Sequence, residues 1–141
     1  MNTENNPRTS ISYLLDTSAL IAFIEQEPGV EQVHALLGEQ TVLVPFVTLM
    51  ETYYITLQEQ GPIIADKRYH LIRSLPLTIL WQVDEIILRL SARFKAAHRI
   101  SFADALIAGF AAAHNAILVH KDPEYEVLKD KIRLEPLPYK S

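Results

Sequence analysis

Four carboxylic acids occupy positions where apolar runs of the sequence meet helical periodicity. Asp16 directly follows the first apolar run, ISYLL, and Asp122 comes shortly after the run AILV. Glu51 and Asp104 each lie on the expected first turn of a helix. In a right-handed βαβ unit such helices begin at the carboxyl edge of the sheet, so the four carboxylates should lie together along that edge.

Carboxylates that converge on one crevice repel one another, and burial raises the cost unless protons or a cation intervene. A hard divalent cation with oxygen ligands removes this repulsion, and Mg²⁺ or Mn²⁺ fits best. Calcium is less natural because the sequence has no EF-hand loop, and zinc because no paired histidines stand at ligand spacing. Since such a metal polarises a phosphoryl oxygen and acidifies a bound water, phosphodiester hydrolysis is the expected reaction class.

Each of these acids also stands where a helix cap is expected, and a cap is the commoner role for a single acid. Asp16 and Asp122 precede expected helix starts, the latter with Pro123 at the first helical position. Glu51 and Asp104 end Thr-x-x-Glu and Ser-x-x-Asp sequences with the spacing of a capping box. The convergence of all four, rather than any one of them, favours a metal site.

The elements that must position these acids alternate between strands and helices. Short apolar runs predict five strands, over residues 11–15, 41–44, 77–81, 116–119 and 132–134. Helical periodicity predicts six helices, over residues 17–25, 29–37, 48–60, 63–73, 84–97 and 101–114. This alternation predicts an α/β fold with a mainly parallel sheet and helices on both faces. Asp84 also starts a helix after an apolar run, and we interpret it as a plain N-cap because the third strand is expected at an outer edge.

Composition favours one globular domain in a reducing compartment. The 141 residues are 49% hydrophobic and 21% charged, and we expect a single domain over residues 10–141 after a flexible N-terminus, residues 1–9. The absence of cysteine excludes a disulfide scaffold and a cysteine nucleophile and is typical of a cytoplasmic protein. The apolar stretch 100–119 is interrupted by Asp104, His114 and Asn115, which favours a buried helix and strand over a membrane span.

Charge is distributed unevenly along the chain. The formal net charge of −4 argues at first against a protein that binds nucleic acid by bulk electrostatics. However, residues 1–65 hold one base and eight acids, whereas residues 66–141 hold twelve bases and nine acids. Setting aside the four crevice acids leaves a neutral remainder, so the net charge does not exclude a nucleic-acid partner, and such binding is expected to depend on the metal.

Three segments resemble the successive acidic motifs of PIN-domain nucleases: YLLDTSALIAFI, VTLMETYY and ISFADALIAGFAAAHNAILVHKDPEYEVL. The resemblance covers residues 13–137, and the single-domain length resembles the VapC-type toxins of toxin–antitoxin pairs. It implies a three-layer α/β/α fold with a five-stranded sheet of order 3-2-1-4-5. It also implies that Asp16, Glu51, Asp104 and Asp122 bind Mg²⁺ or Mn²⁺ directly or through water.

The resemblance further implies an activity and partners. The activity is endoribonuclease cleavage of structured RNA such as tRNA, with a hydroxyl from Thr17 or Ser18 near the metal. The implied partners are a cognate antitoxin, whose C-terminal segment would cover the groove, and a second copy in a homodimer. A PIN-domain RNase of RNA maturation or decay without an antitoxin, and a non-catalytic PIN-like module that binds RNA or protein, stay as alternatives. Loss of an acid would favour the last, and none is missing.

The fourth motif departs from the family pattern at two positions. His120 stands where Thr or Ser is usual, two residues before Asp122, and Tyr125 stands where Phe is common. Two interpretations of His120 are open: a donor to metal-bound water or phosphate, and a strand-end histidine that packs or faces solvent.

Basic residues in the second half of the chain are candidates for RNA contacts. Lys121 directly precedes Asp122 at the crevice edge. Two further pairs of bases are each one helical turn apart: Arg89 and Arg93, and Lys95 and Arg99. They form either a basic face for the RNA backbone or an ordinary solvated helix face.

Overall fold

The computed structural model describes residues 11–140, so the predicted flexible segment 1–9 lies outside the described residues. The strands are β1 (Ser12–Leu15), β2 (Thr41–Pro45), β3 (Thr78–Leu80), β4 (Ile117–His120) and β5 (Leu134–Pro136). The helices are α1 (Thr17–Ile24), α2 (Val30–Glu39), α3 (Phe46–Gln60), α4 (Pro62–Ser74), α5 (Glu85–Ala97) and α6 (Phe102–Ala113), with a 3₁₀ helix over Pro123–Leu128.

The five strands form one sheet of order β3-β2-β1-β4-β5 in which every neighbouring pair is parallel. This confirms the predicted fold class. Successive strand residues point to opposite faces, so Leu14 and Leu118 enter the hydrophobic cluster under α5 and α6. Leu15 and Val119 enter the cluster under α1, α2 and α4. The sheet is therefore covered on both faces, as a parallel sheet requires.

The order of the strands places Asp84 away from the centre of the sheet. Asp84 follows the edge strand β3, is exposed, and accepts a hydrogen bond at 2.9 Å from the backbone N–H of Ile87. It is the N-cap of α5, as predicted. The stretch 100–119 divides into α6 and β4, and among residues 11–140 no helix is long and apolar enough to cross a membrane.

Two local predictions were wrong. Helix α3 begins at Phe46, directly after β2, so Glu51 lies in its second turn and forms no capping box. The Thr48 hydroxyl instead donates a hydrogen bond of 3.0 Å to the carbonyl oxygen of Leu15, which joins α3 to the end of β1. Thr48 therefore makes a tertiary contact in place of the predicted helix cap. The last strand begins at Leu134 rather than at residue 132, because the chain is still turning there and the N–H of Ile132 donates to the carbonyl oxygen of Leu128.

Candidate active site

The four predicted acids line one crevice at the carboxyl edge of the central strands. The crevice has a volume of about 390 Å³. Its polar lining consists of Asp16, Thr17, Ser18, Glu27, Glu51, Asp104, Lys121, Asp122 and Lys140. The first three of these residues lie directly after β1, with Asp16 as the N-cap of α1 and Thr17 and Ser18 in its first turn. Helices α3 and α6 each provide one acid, and the loop after β4 provides Lys121 and Asp122.

Asp16 is the most deeply buried acid of the crevice, with a relative exposure of 3%. One carboxylate oxygen accepts a hydrogen bond of 2.8 Å from the N–H of Ala19, which makes Asp16 the N-cap of α1. Burial outweighs this bond and raises the pKa of Asp16 from 3.8 to about 7, and the nearby charge of Asp104 adds to the rise. An ionised Asp16 is therefore costly unless a cation lies beside it.

Thr17 and Ser18 hold different acids, although the sequence left open which of them supports the site. The Ser18 hydroxyl lies 2.8 Å from both carboxylate oxygens of Asp16 and accepts a hydrogen bond of 2.8 Å from the N–H of Lys121. The Thr17 hydroxyl donates to a carboxylate oxygen of Glu51 at 2.6 Å. One residue therefore ties β1 to the loop after β4, and its neighbour orients the acid on α3.

Asp104, Asp122 and Glu124 form the tightest group of acids in the described part of the chain. One carboxylate oxygen of each lies within 4.8 Å of the others, close enough for a shared metal ion. The sequence analysis missed Glu124. The sequence clue to Glu124 was its place as the second acid in KDPEY, two residues after Asp122, where an aspartate commonly forms a turn with its own backbone. In the structure Asp122 accepts a hydrogen bond of 2.9 Å from the N–H of Glu124, which keeps Glu124 next to the site.

The electrostatics of Asp104 resemble those of Asp16. Partial burial raises the pKa of Asp104, and the charges of Asp122 and Glu51 add to the rise. The Tyr125 hydroxyl opposes it by donating a hydrogen bond of 3.0 Å to one Asp104 oxygen. Hard carboxylate oxygens gathered in this way fit Mg²⁺ or Mn²⁺, and such an ion would offset both the burial and the repulsion that raise the two pKa values.

The His120 ring does not line the crevice. It is fully buried, packs against Tyr125 and Tyr139 at centroid distances of 5.1 and 6.0 Å, and accepts a hydrogen bond of 3.1 Å at Nδ1 from the N–H of Asp122. Burial lowers the pKa of His120, which favours the neutral ring that can accept this bond. This placement favours the packing interpretation of His120, since the ring is buried against two tyrosines and lies outside the crevice.

Lys121 lies at the crevice, but its ammonium group is engaged by the protein. The side chain has a relative exposure of 3%, and Nζ donates to the carbonyl oxygen of Pro28 at 2.8 Å and lies 3.6 Å from a Glu27 oxygen. Lys140 forms a second contact with Glu27 at 3.4 Å. These cations therefore support the wall of the crevice formed by the loop between α1 and α2.

The predicted bases on and after α5 are exposed, and none of them lines the crevice. Arg89 lies 3.8 Å from Glu85 on the same helix, and Lys95 donates to the carbonyl oxygen of Ile100 at 2.9 Å. Arg93 and Arg99 are exposed as well. The structure thus brings together the acids and the two hydroxyl residues, and it leaves the helical bases on a separate surface.

A parallel sheet of order 3-2-1-4-5 with carboxylates gathered at its carboxyl edge defines the class of PIN-like domains. The sequence model of the PIN domain matches residues 13–131, and the chain belongs to the PIN-domain family. Among curated proteins, none matches this chain by sequence.

Solved structures of toxin–antitoxin proteins share the fold. VapBC2 from Rickettsia felis, bound to a DNA fragment from its promoter, has a TM-score of 0.76 at 19% identity over 91% of this chain and 100% of that chain. DNA-bound VapBC from Salmonella typhimurium has a TM-score of 0.75 at 21% identity over 89% and 98%. VapC20 from Mycobacterium tuberculosis, a sarcin-ricin loop cleaving toxin, has a TM-score of 0.66 at 15% identity over 82% and 93%.

Proposed function

We propose that this protein is a metal-dependent endoribonuclease that hydrolyses RNA phosphodiester bonds, and that it is the toxin of a VapBC-like toxin–antitoxin pair. The observation that carries the proposal is the set of carboxylates in one crevice, in which burial raises the pKa of Asp16 to about 7. A protein that needed these acids only as helix caps would have no reason to bury one of them among the others. Sites for catalysis are where such unfavourable burial is concentrated.

The residues divide into three roles in this proposal. Asp16, Asp104 and Asp122 hold Mg²⁺ or Mn²⁺, and Glu51 completes the site and orients a water molecule. The bound ion supplies charge stabilisation at the phosphoryl oxygen and acidifies water. Thr17 fixes the direction of the Glu51 carboxylate through its 2.6 Å hydrogen bond to Oε1. The other oxygen, Oε2, lies 3.5 Å from the Tyr54 hydroxyl and would be the one that accepts a proton from water.

RNA is the proposed substrate class. The basic second half of the chain supports it, and so does the fold shared with VapC20, a sarcin-ricin loop cleaving toxin. Structured RNA, tRNA included, would lie with its backbone across the exposed bases Arg89, Arg93, Lys95 and Arg99. Each contact of this kind makes binding salt-dependent, so Arg93→Gln should weaken RNA binding and reduce the slope of log Kd against log salt by about 0.7.

The nuclease proposal is tested by RNA cleavage with Mg²⁺ or Mn²⁺, compared between the wild type and Asp104→Asn. The substitution removes a charged ligand but keeps the size of the side chain, so cleavage should fall by at least about 100-fold. Asp84→Asn is the matched control, because it makes the same change at an exposed N-cap outside the crevice. Equal cleavage by wild type and Asp104→Asn would disprove the proposal, as would an inactive wild type across all metal concentrations.

The toxin proposal has a separate test in cells. Induced expression of the wild type in the cytoplasm should arrest growth, and Asp104→Asn at the same level should not. A short reading frame beside the gene, encoding a DNA-binding N-terminus, would be the cognate antitoxin, and its co-expression should restore growth. Active cleavage in vitro without growth arrest would favour an RNase of RNA maturation or decay, and RNA binding without cleavage would favour a non-catalytic module.

A homodimer is proposed as the assembly, and sedimentation would test it.

A further inference from the structure

Tyr125 is a buried residue whose hydroxyl contacts one of the acids of the candidate metal site. It lies in the 3₁₀ helix Pro123–Leu128, and its side chain is fully buried. Its hydroxyl donates a hydrogen bond of 3.0 Å to one carboxylate oxygen of Asp104. A tyrosine phenol is protonated at neutral pH, so the Tyr125 hydroxyl is the donor in this bond.

A single bond from Tyr125 restricts the position of Asp104 strongly. The backbone of Asp104 is held in the first turn of α6, where its N–H donates a hydrogen bond of 3.0 Å to the Ser101 hydroxyl. The carboxylate can still rotate about two side-chain torsions unless another group holds it. With one oxygen held by Tyr125, the other oxygen has its direction set. Groups that orient a ligand in this way are needed for a site to bind its metal tightly.

The ring of Tyr125 is itself fixed by the other unusual residue of this segment. His120 packs against Tyr125 at a centroid distance of 5.1 Å, and the same His120 ring accepts the N–H of Asp122 at 3.1 Å. Tyr125 therefore donates a hydrogen bond to the Asp104 carboxylate, and the adjacent His120 ring accepts one from the backbone of Asp122. A Phe at position 125 would keep the packing and would lose the bond to Asp104.

We propose that Tyr125 is a positioning residue that orients the Asp104 carboxylate for divalent metal binding. The proposal rests on the proposed metal-dependent function. It assigns the hydroxyl of Tyr125 a role that packing alone would not require, and it makes metal affinity, rather than folding, the property that depends on that hydroxyl.

The test is the affinity for Mn²⁺, measured by calorimetry on the wild type and on Tyr125→Phe. We expect the dissociation constant to rise by about 10- to 100-fold, which is the usual effect of removing a group that orients a metal ligand. Tyr139→Phe is the matched control, because Tyr139 also packs on the His120 ring. Its hydroxyl donates a hydrogen bond of 2.8 Å to Glu126, an acid that lies outside the crevice. Its affinity should stay within about twofold of the wild type.

A second readout separates positioning from a merely structural role. If Tyr125 acts through Asp104, then Tyr125→Phe should change Mn²⁺ affinity no further in an Asp104→Asn background. In addition, excess Mn²⁺ should restore cleavage by Tyr125→Phe and should not restore cleavage by Asp104→Asn.

Several results would overturn the proposal. If the wild type and Tyr125→Phe bind Mn²⁺ equally well, this inference alone is overturned and the metal-dependent nuclease stays in place. A Tyr125→Phe protein that does not fold would also overturn it, because the hydroxyl would then be a structural requirement. Wild type that binds no Mn²⁺ would overturn both the inference and the proposed function.

Discussion

Replacing Asp16 with Asn should stabilise the metal-free protein at neutral and alkaline pH while removing its activity. Burial raises the pKa of Asp16 from 3.8 to about 7, and a shift of this size corresponds to about 4 kcal/mol. Between about pH 4 and pH 7 the folded protein therefore keeps a proton that the unfolded chain releases. Because the folded state binds more protons there, its stability falls as pH rises through that window and then levels off.

Asparagine avoids this cost but loses part of the hydrogen bonding at the site. Its Oδ1 atom can still accept the N–H of Ala19, because Asn is as good an N-cap as Asp. The two 2.8 Å contacts with Ser18 become one weaker contact, which costs about 1–2 kcal/mol. The net gain at pH 8 is then about 2–3 kcal/mol, or about 8 °C in melting temperature for a chain of this size.

Urea unfolding with a metal chelator, repeated from about pH 4 to pH 8, measures this effect. The stability difference between Asp16→Asn and wild type should be near zero or negative at pH 4 and should rise to the full gain at pH 8. Saturating Mg²⁺ at pH 8 should stabilise the wild type and leave the variant unchanged. Asp84→Asn should give no gain at pH 8, since Asp84 is exposed. An Asp16→Asn variant that is less stable than wild type at every pH would refute the reasoning.

Three further changes probe the same crevice. Mn²⁺ should bind about tenfold more weakly at pH 6 than at pH 8 in calorimetry, because a proton on Asp16 competes with the ion below about pH 7. Thr17→Val removes the hydroxyl that holds Glu51 and should lower the cleavage rate about tenfold with an unchanged melting temperature. Ser18→Ala leaves the N–H of Lys121 without its acceptor and should lower the free energy of unfolding by about 1–2 kcal/mol in urea titrations.

The positions of the crevice acids follow from local sequence because topology leaves little freedom. Once ISYLL is a central parallel strand, Asp16 must stand at its carboxyl end, and the handedness of the crossovers brings the start of α6 to the same edge. The structure confirms that Asp16, Glu51, Asp104 and Asp122 share one crevice. Their roles in metal binding and catalysis stay predictions, as do the RNA contacts of the α5 bases.

The hydrogen bonds that orient these acids could not be predicted from the sequence, because they join residues that are far apart along the chain. Thr17 and Glu51 are separated by 34 positions, Ser18 and Lys121 by 103, and Tyr125 and Asp104 by 21. No local periodicity encodes which hydroxyl meets which carboxylate.

The buried ammonium of Lys121 illustrates the same limit. Its place next to Asp122 in the sequence predicted a group directed at substrate. Its actual partner, the carbonyl oxygen of Pro28, lies 93 positions away. Tertiary contacts of this kind decide whether a charged side chain faces a ligand or supports the wall of the site.

Helix capping and metal binding are not exclusive roles for these acids. The N–H of Ala19 occupies only one oxygen of Asp16, and the N–H of Glu124 occupies only one oxygen of Asp122. The capping bond fixes the carboxylate against the end of its helix, and the positive end of the helix dipole favours the ionised form. At Asp16 burial still prevails and raises the pKa to about 7. The cap therefore orients the acid, and a bound cation is what would make its ionised form favourable.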